Sequence, residues 1–253
     1  MSLTNRTLDV LAAFTPDHPT RTLQEVSRES GLPLTTTHRI VSDLVSWGAL
    51  ERTPAGRIQV GLRLWEVASL APRGLGLREV ALPYMEDLFV ATAENVQLAV
   101  REQTEAVFIE RLTGRRSVTV LTRVGDRFAL HATGVGLALL AHAPSDVREQ
   151  VLARPLRTWT AHTIGDPDQL RAVLADVRRT GVAVSDRQVT LDAVSVACPI
   201  HDANDDVVAA LSVVARHGTV SPLALAPALR AASRGISRAL GAPTPDFRQA
   251  ETA

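Results

Sequence analysis

The chain has 253 residues, 45% apolar and 21% charged, which fits a globular protein of one large or two ordinary domains. No apolar run approaches the ~20 residues a bilayer-spanning helix needs. Lys plus Arg equals Asp plus Glu at 27 each, so a globally basic nucleic-acid footprint is excluded and any attraction for DNA has to be local.

The basic residues are all arginine, a usage that a GC-rich genome produces by itself and that is no sign of phosphate binding. The opening MSLTNRTLDVLAAF lacks the basic stretch and apolar core of a secretory signal, so a cytoplasmic protein with no membrane partner is expected. Cys198 is the single cysteine, which rules out an intrachain disulfide and a multi-cysteine metal site. Followed by Pro199 in an apolar run, it reads first as a small buried hydrophobe.

In chain order, RTLDVLAAF places Leu8, Leu11 and Ala12 at helical spacing, and TPDHPTR breaks the pattern with two prolines. In TLQEVSRESG, Thr22 and Glu25 form a capping-box pair and Gly31 is a stop signal. Ile40, Val41, Leu44 and Val45 then recur at helical spacing until Gly48. ALERTPAGRIQV reads as two short strands joined by a Pro-Ala-Gly turn. Helix, helix, short Gly-containing turn, helix, hairpin is the order of a winged helix-turn-helix.

Leu62, Trp65, Ala68 and Ser69 suggest a connector helix, PRGLG interrupts it, and a further helix is expected from about Leu77 to Ala93. Beyond it the pattern is α/β. NVQLAV, EAVFIERL and SVTVLTRVG read as strands, and GVGLALLAHA as a short apolar helix opened by glycines. DPDQLRAVLADVRRTG is a helix capped by Asp166 and stopped by Gly181. VSVACPIHDANDDVVAALSVVA is an antiparallel pair around an Asp-Ala-Asn-Asp turn. A last helix starts with Ser221 as cap and Pro222 at its first position.

The stretch LTTTHRIVSDLV carries the clearest chemical signal. On a helix it turns Ile40, Val41, Leu44 and Val45 inward and leaves Thr35, Thr36, His38, Arg39, Ser42, Asp43 and Ser46 largely on the other side. Small hydroxyl side chains let a helix approach a groove closely, and a helix N-terminus offers free N–H groups to a phosphate. Thr35 is the expected cap, with Thr36 and Thr37 keeping the approach face small and polar. Arg39 has the reach for a bidentate pair with guanine O6 and N7. Arg52 and Arg57 on the hairpin are candidates for backbone or minor-groove contact. A capped amphipathic helix with a solvated face would show the same residues; the neighbouring helix, turn and hairpin are what match a DNA-docking arrangement.

These segments, RTLDVLAAF through GRIQVGLRLWEVA, resemble the N-terminal domain of the IclR family of bacterial transcriptional regulators. VQLAVREQTEAVFIERL, FALHATGVGLALLA, LRAVLADVRRTGVAVSD and VSVACPIHDANDDVVAALSVVA resemble that family's C-terminal domain in the same order, from about Arg6 to Leu240 overall. The resemblance implies an α+β protein. A winged helix-turn-helix would occupy 1–61, a linker helix 62–76 and a GAF-like α/β effector-binding domain with a mainly antiparallel sheet 77–241, with a flexible tail at 242–253. It implies a double-stranded DNA operator, a small-molecule effector such as an organic acid or aromatic metabolite, and a homodimer or dimer of dimers joined through the N-terminal domain and linker. No motif in the sequence points to a cofactor, and none is expected.

The family's pocket lies between the glycine loop and the sheet. Gly134, Val135 and Gly136 would present N–H groups suited to a carboxylate, although the same glycines could serve only a tight turn. Cys198, Ser212 and Val214 lie near positions whose counterparts line that pocket, with Ser212 and Val214 on one strand face; Cys198 shares the parity of Val196 and Ile200 and could equally be core, and the Ser212 hydroxyl could equally be satisfied by backbone. Two departures stand out: Leu137 where the family commonly has lysine, and Asp192 where a glycine is common. The histidines show no HExxH pairing and no G-x-S-x-G or P-loop occurs, so catalysis is not expected. The rival reading is an α/β enzyme with Cys198 as nucleophile and the N-terminal helices as an association module.

Overall fold

The computed structural model describes residues 2–71, 75–115 and 117–243. The interruption expected at PRGLG falls partly, and the tail expected at 242–253 mostly, outside the described residues. The chain divides into two compact units, Met1–Leu75 and Gly76–Ala253.

The first unit contains α1 (Leu3–Ala12), β1 (Thr20–Arg21), α2 (Leu23–Ser30), α3 (Leu34–Trp47), β2 (Leu50–Arg52), β3 (Ile58–Val60) and α4 (Leu62–Ala68). The strands form one antiparallel sheet in the order β1-β3-β2. Val10, Val26, Ile40, Val41, Leu50 and Ile58 bury a common core, each large side chain contributing about 1.5–3 kcal/mol. The start of α2 is fixed by the capping box: Glu25 N donates to Thr22 Oγ1 at 3.2 Å, and Thr22 N donates to Glu25 Oε2 at 2.7 Å. That backbone hydrogen bond, helped by nearby Arg57, holds the Glu25 carboxyl below the usual carboxylate range. Gly31 ends the helix at φ 66°, a left-handed conformation that glycine adopts without strain, and so sets the turn into α3.

One expectation fails here. Pro33, not Thr35, occupies the position ahead of α3, and no side chain caps the helix. Proline's fixed φ suits the boundary, so the helix begins one residue before the first threonine.

The second unit contains α5 (Leu75–Thr92), β4 (Asn95–Glu102), β5 (Glu105–Leu112), β6 (Arg127–Ala129), α6 (Gly134–Ala141), α7 (Ser145–Leu152), α8 (Pro167–Thr180), β7 (Ala183–Asp186), β8 (Ala193–His201), β9 (Val207–Arg216) and α9 (Pro222–Ala239). Its six strands pair antiparallel in the order β6-β5-β4-β9-β8-β7. Strand alternation gives the sheet two distinct faces. Leu98, Val196, Cys198, Ile200, Leu211 and Val213 pack with residues of α5 and α9. Ala99, Phe108, Ala197 and Ala210 pack with α6 and residues of α7 and α8. All residues of α6 are buried, which accounts for its uniformly apolar sequence.

SVTVLTRVG does not form the expected strand. Residues 117–125 run without regular structure as a strap, because the edge beside β5 is taken by β6. Side chains hold the strap instead: Asn95 Nδ2 donates to Val118 O at 2.8 Å, and Gln97 Nε2 donates to Thr122 Oγ1 at 2.6 Å. The short elements β1, β6, β7 and α7 had no distinct signal in the sequence. Among the described residues no helix is long and apolar enough to cross a membrane.

Candidate DNA-reading helix and effector pocket

In α3 the first intrahelical bond runs from Thr37 N to Pro33 O at 2.9 Å. The N–H groups of Leu34, Thr35 and Thr36 precede it and are the free donors of an uncapped helix start. Thr35, His38, Arg39 and Ser42 are exposed and Thr36 is half-buried. None of their side chains has a hydrogen-bond or ion-pair partner among the described residues. Together they form a small polar ridge with a positive head, beside free amides that complement a phosphate.

Thr37 and Arg57 do not belong to this surface. Thr37 is fully buried, and its hydroxyl donates back to Pro33 O at 3.1 Å. It therefore fixes the turn and cannot meet DNA. Arg57 spends its guanidinium inside the unit: Nε donates to Thr20 Oγ1 at 3.0 Å, and Nη2 donates to Thr20 O and Glu25 Oε2 at 2.9 Å each. It ties β3 to β1 and α2. Arg52 stays exposed on β2 with no partner among the described residues.

In the second unit a cavity of about 60 Å³ lies between the sheet and the strap. Gln97, Ser195 and Val214 contribute from the strands, Val120 and Thr122 from the strap, and Val135 from the first turn of α6. No side chain lining it is ionisable. A ligand here would meet amide and hydroxyl groups against apolar walls, the mixture by which a small site orients its occupant. Phe108, also in the wall, packs edge-on to Phe128 at 6.2 Å, and Phe128 stacks on Trp159 at 6.0 Å.

The glycine loop has a mixed role. A Cβ on Gly134 would come within 2.5 Å of Ser195 Oγ, and one on Gly136 within 2.3 Å of Leu130 O. Both glycines therefore let α6 lie against β8 and its own lead-in. The Gly136 amide is taken by the Thr133 hydroxyl at 3.0 Å, so it is not free for a carboxylate. Gly134 and Val135 keep amides ahead of the first intrahelical bond, Leu137 N to Thr133 O at 2.9 Å.

Cys198 is on the wrong face. It pairs with Leu211 and packs toward α5 and α9, so it does not line this cavity. Burial pushes its thiol up to about 11, against the opposing pull of Arg230 and Arg234. At neutral pH it is therefore a protonated, buried thiol and a poor nucleophile. Ser212 shares the cavity's face, pairing with Gln97 and Ala197, but is fully buried, and its Oγ has no partner among the described residues. Gln97, Thr122, Thr133 and Ser195 were missed in the sequence. The one local hint was a glutamine inside the apolar run NVQLAV.

Two family descriptions match the chain: the IclR helix-turn-helix domain over residues 4–54, and the bacterial transcriptional regulator IclR C-terminal domain over residues 71–238. The chain belongs to the IclR family. It is a DNA-binding transcriptional regulator with a C-terminal effector-binding domain that modulates operator binding. Among its relatives, the HTH-type transcriptional regulator KipR of Bacillus subtilis is 30% identical over 77% of this chain and 78% of its own. XynR of Escherichia coli, another HTH-type transcriptional regulator, is 26% identical over 94% of this chain and 96% of its own. Among solved structures, an IclR homolog from Microbacterium hydrocarbonoxydans complexed with 4-hydroxybenzoate superposes with a TM-score of 0.91 at 38% identity, covering 94% of this chain and 99% of that one. For this IclR-family regulator, the mixed α+β architecture with an antiparallel effector-domain sheet agrees with the sequence expectation.

Proposed function

We propose that this regulator reads operator DNA with Thr35, Thr36, His38, Arg39 and Ser42 of α3, with Arg52 of the wing on neighbouring backbone. The observation that carries this reading is the uncapped α3 start beside an exposed ridge with unengaged side chains. The effector occupies the cavity between strap and sheet, against Gln97, Thr122, Ser195, Val135 and Val214. An uncharged wall that includes Val135, whose amide precedes the first intrahelical bond of α6, suits a small aromatic or organic acid whose single carboxylate meets a backbone N–H group. The 4-hydroxybenzoate held by the Microbacterium homolog is an occupant of that class.

In this reading residues 1–61 bind DNA, 62–76 link, and 77–241 sense, in the cytoplasm where the chromosome lies. The protein acts by binding and turns over no substrate; the buried Cys198 thiol supports this over the enzyme alternative. It works as a homodimer, or a dimer of dimers. Helix α4 buries none of its residues within the chain and exposes Leu62 and Trp65, an apolar surface fit for a second copy. The effector shifts the spacing of the two recognition helices, which have to match two half-sites.

The test is titration of the DNA upstream of its own gene at rising salt. A protein neutralising several phosphates loses affinity steeply, with a logarithmic slope of about −0.9 per phosphate. Binding that ignores salt, or no preference for that fragment over unrelated DNA, contradicts the proposal.

A further inference from the structure

A second concavity in the effector unit shares no lining residue with the cavity under the strap. It is a groove of about 620 Å³ between α9, the end of α8 and the outer part of β8. Arg230, Arg234 and Arg238 border it, spaced four residues apart and so aligned along one side of α9. Across from them lie Cys198 and His201 of β8.

The charge in this groove is not balanced. Arg230 Nη2 donates to Thr180 O at 2.7 Å, whereas the guanidiniums of Arg234 and Arg238 have no hydrogen-bond or ion-pair partner among the described residues. The acid in the lining, Asp205, is already paired with His201 at 3.0 Å. Helix-dipole compensation explains Arg238, which sits in the last turn of α9, but Arg230 and Arg234 lie more than a turn before Ala239. Arg230 is half-buried and Arg234 and Arg238 are exposed along the groove.

Arginines four residues apart start ~6 Å apart along the helix axis, so their long side chains can converge on one compact dianion. We propose that this groove is a second ligand site, which takes a small dianion bearing phosphate or paired carboxylates and is separate from the effector cavity. Arg234 and Arg238 would supply the charged hydrogen bonds, with Arg230 held in place by Thr180.

The test uses the full chain and two probes, inorganic pyrophosphate and succinate, titrated calorimetrically at ionic strength fixed with chloride. The wild type should bind one of them saturably. Pyrophosphate alone assigns phosphate chemistry and succinate alone assigns dicarboxylate chemistry. The double variant Arg234→Gln/Arg238→Gln, altered only at exposed side chains, should bind at least about tenfold more weakly. Thr122→Val, in the effector cavity, should leave the probe's affinity unchanged. The proposal is overturned if neither probe binds the wild type at millimolar concentration, if the double variant binds as the wild type does, or if Thr122→Val weakens binding equally. None of these outcomes depends on DNA binding, so the assignment of α3 is tested separately.

Discussion

The two faces of the effector-domain sheet are made by the same strands yet differ in kind. Toward α5 and α9, Leu98, Val196, Ile200, Leu211 and Val213 close into a dry layer. Toward α6, the alternate positions include Gln97, Ser185, Ser195 and Ser212, and a cavity survives between them and the strap. Apolar side chains that interdigitate seal a face. Polar ones need partners: Ser185 finds a fixed one in Ala132 O at 2.8 Å, while Gln97 relies on Thr122 of the strap, which a ligand entering beneath it could displace. One face therefore closes over its centre and leaves only the α9–β8 margin open as a groove, whereas the other encloses a cavity beside polar side chains.

The comparison breaks first on deletion. Leu211→Ala should cost about 2–5 kcal/mol in urea unfolding, because it opens a void in the sealed layer. Gln97→Leu, one strand away on the other face, removes one donor to Thr122 and should cost only about 1 kcal/mol while changing effector affinity. If Gln97→Leu proved the more destabilising of the two, the division between the faces would be wrong.

A second change sharpens the role of the glycine loop. Gly134→Ala drives a methyl against Ser195 Oγ and should destabilise by about 1–3 kcal/mol through overpacking. Ser195→Ala in the same chain should restore part of that loss, since it removes the opposing oxygen. Failure of this rescue in thermal melts would mean that Gly134 serves the ligand rather than the packing of α6 on β8.

A smaller effect separates the faces by pH. His131 and His142 flank α6 at its two ends, and burial lowers the pKa of both. The folded domain then binds fewer protons than the unfolded chain below the ordinary histidine value of about 6.5. Stability should be flat at higher pH and fall as pH drops through that region. His131→Gln with His142→Gln should flatten the profile in melts recorded from pH 7.5 to 5.5, and an unchanged slope would remove these histidines from the account.

What could be read in the sequence was local. The Thr22–Glu25 box and the Asp166 cap at the start of α8 each involve residues three apart, and both form as expected. Alternation within β9 correctly placed Ser212 and Val214 on one face. Cys198 fits the small buried hydrophobe its apolar run suggested and not the pocket position: it pairs with Leu211 and packs in the same layer as Val196 and Ile200, whose parity it shares. The strap was misread for a non-local reason. Its Val-Thr alternation suits a strand, but whether a partner edge is free is a property of the whole sheet. In α3, spacing separated the inward apolar residues from the outward ridge, but did not reveal that Thr37 turns its hydroxyl back to Pro33.

The DNA-reading surface is assigned to α3, and two arginines of the same unit decide that assignment. Operator affinity should be measured for Arg39→Ala and Arg57→Ala side by side, each checked for folding by its melting curve. Arg39→Ala should keep its stability and lose about 1–3 kcal/mol of binding, with weaker discrimination against unrelated DNA. Arg57→Ala should melt earlier, through loss of its bonds to Thr20 and Glu25, and bind the operator nearly as the wild type does when folded. The reverse pattern, with Arg39 dispensable and Arg57 required at the DNA, would contradict the assignment of the reading surface.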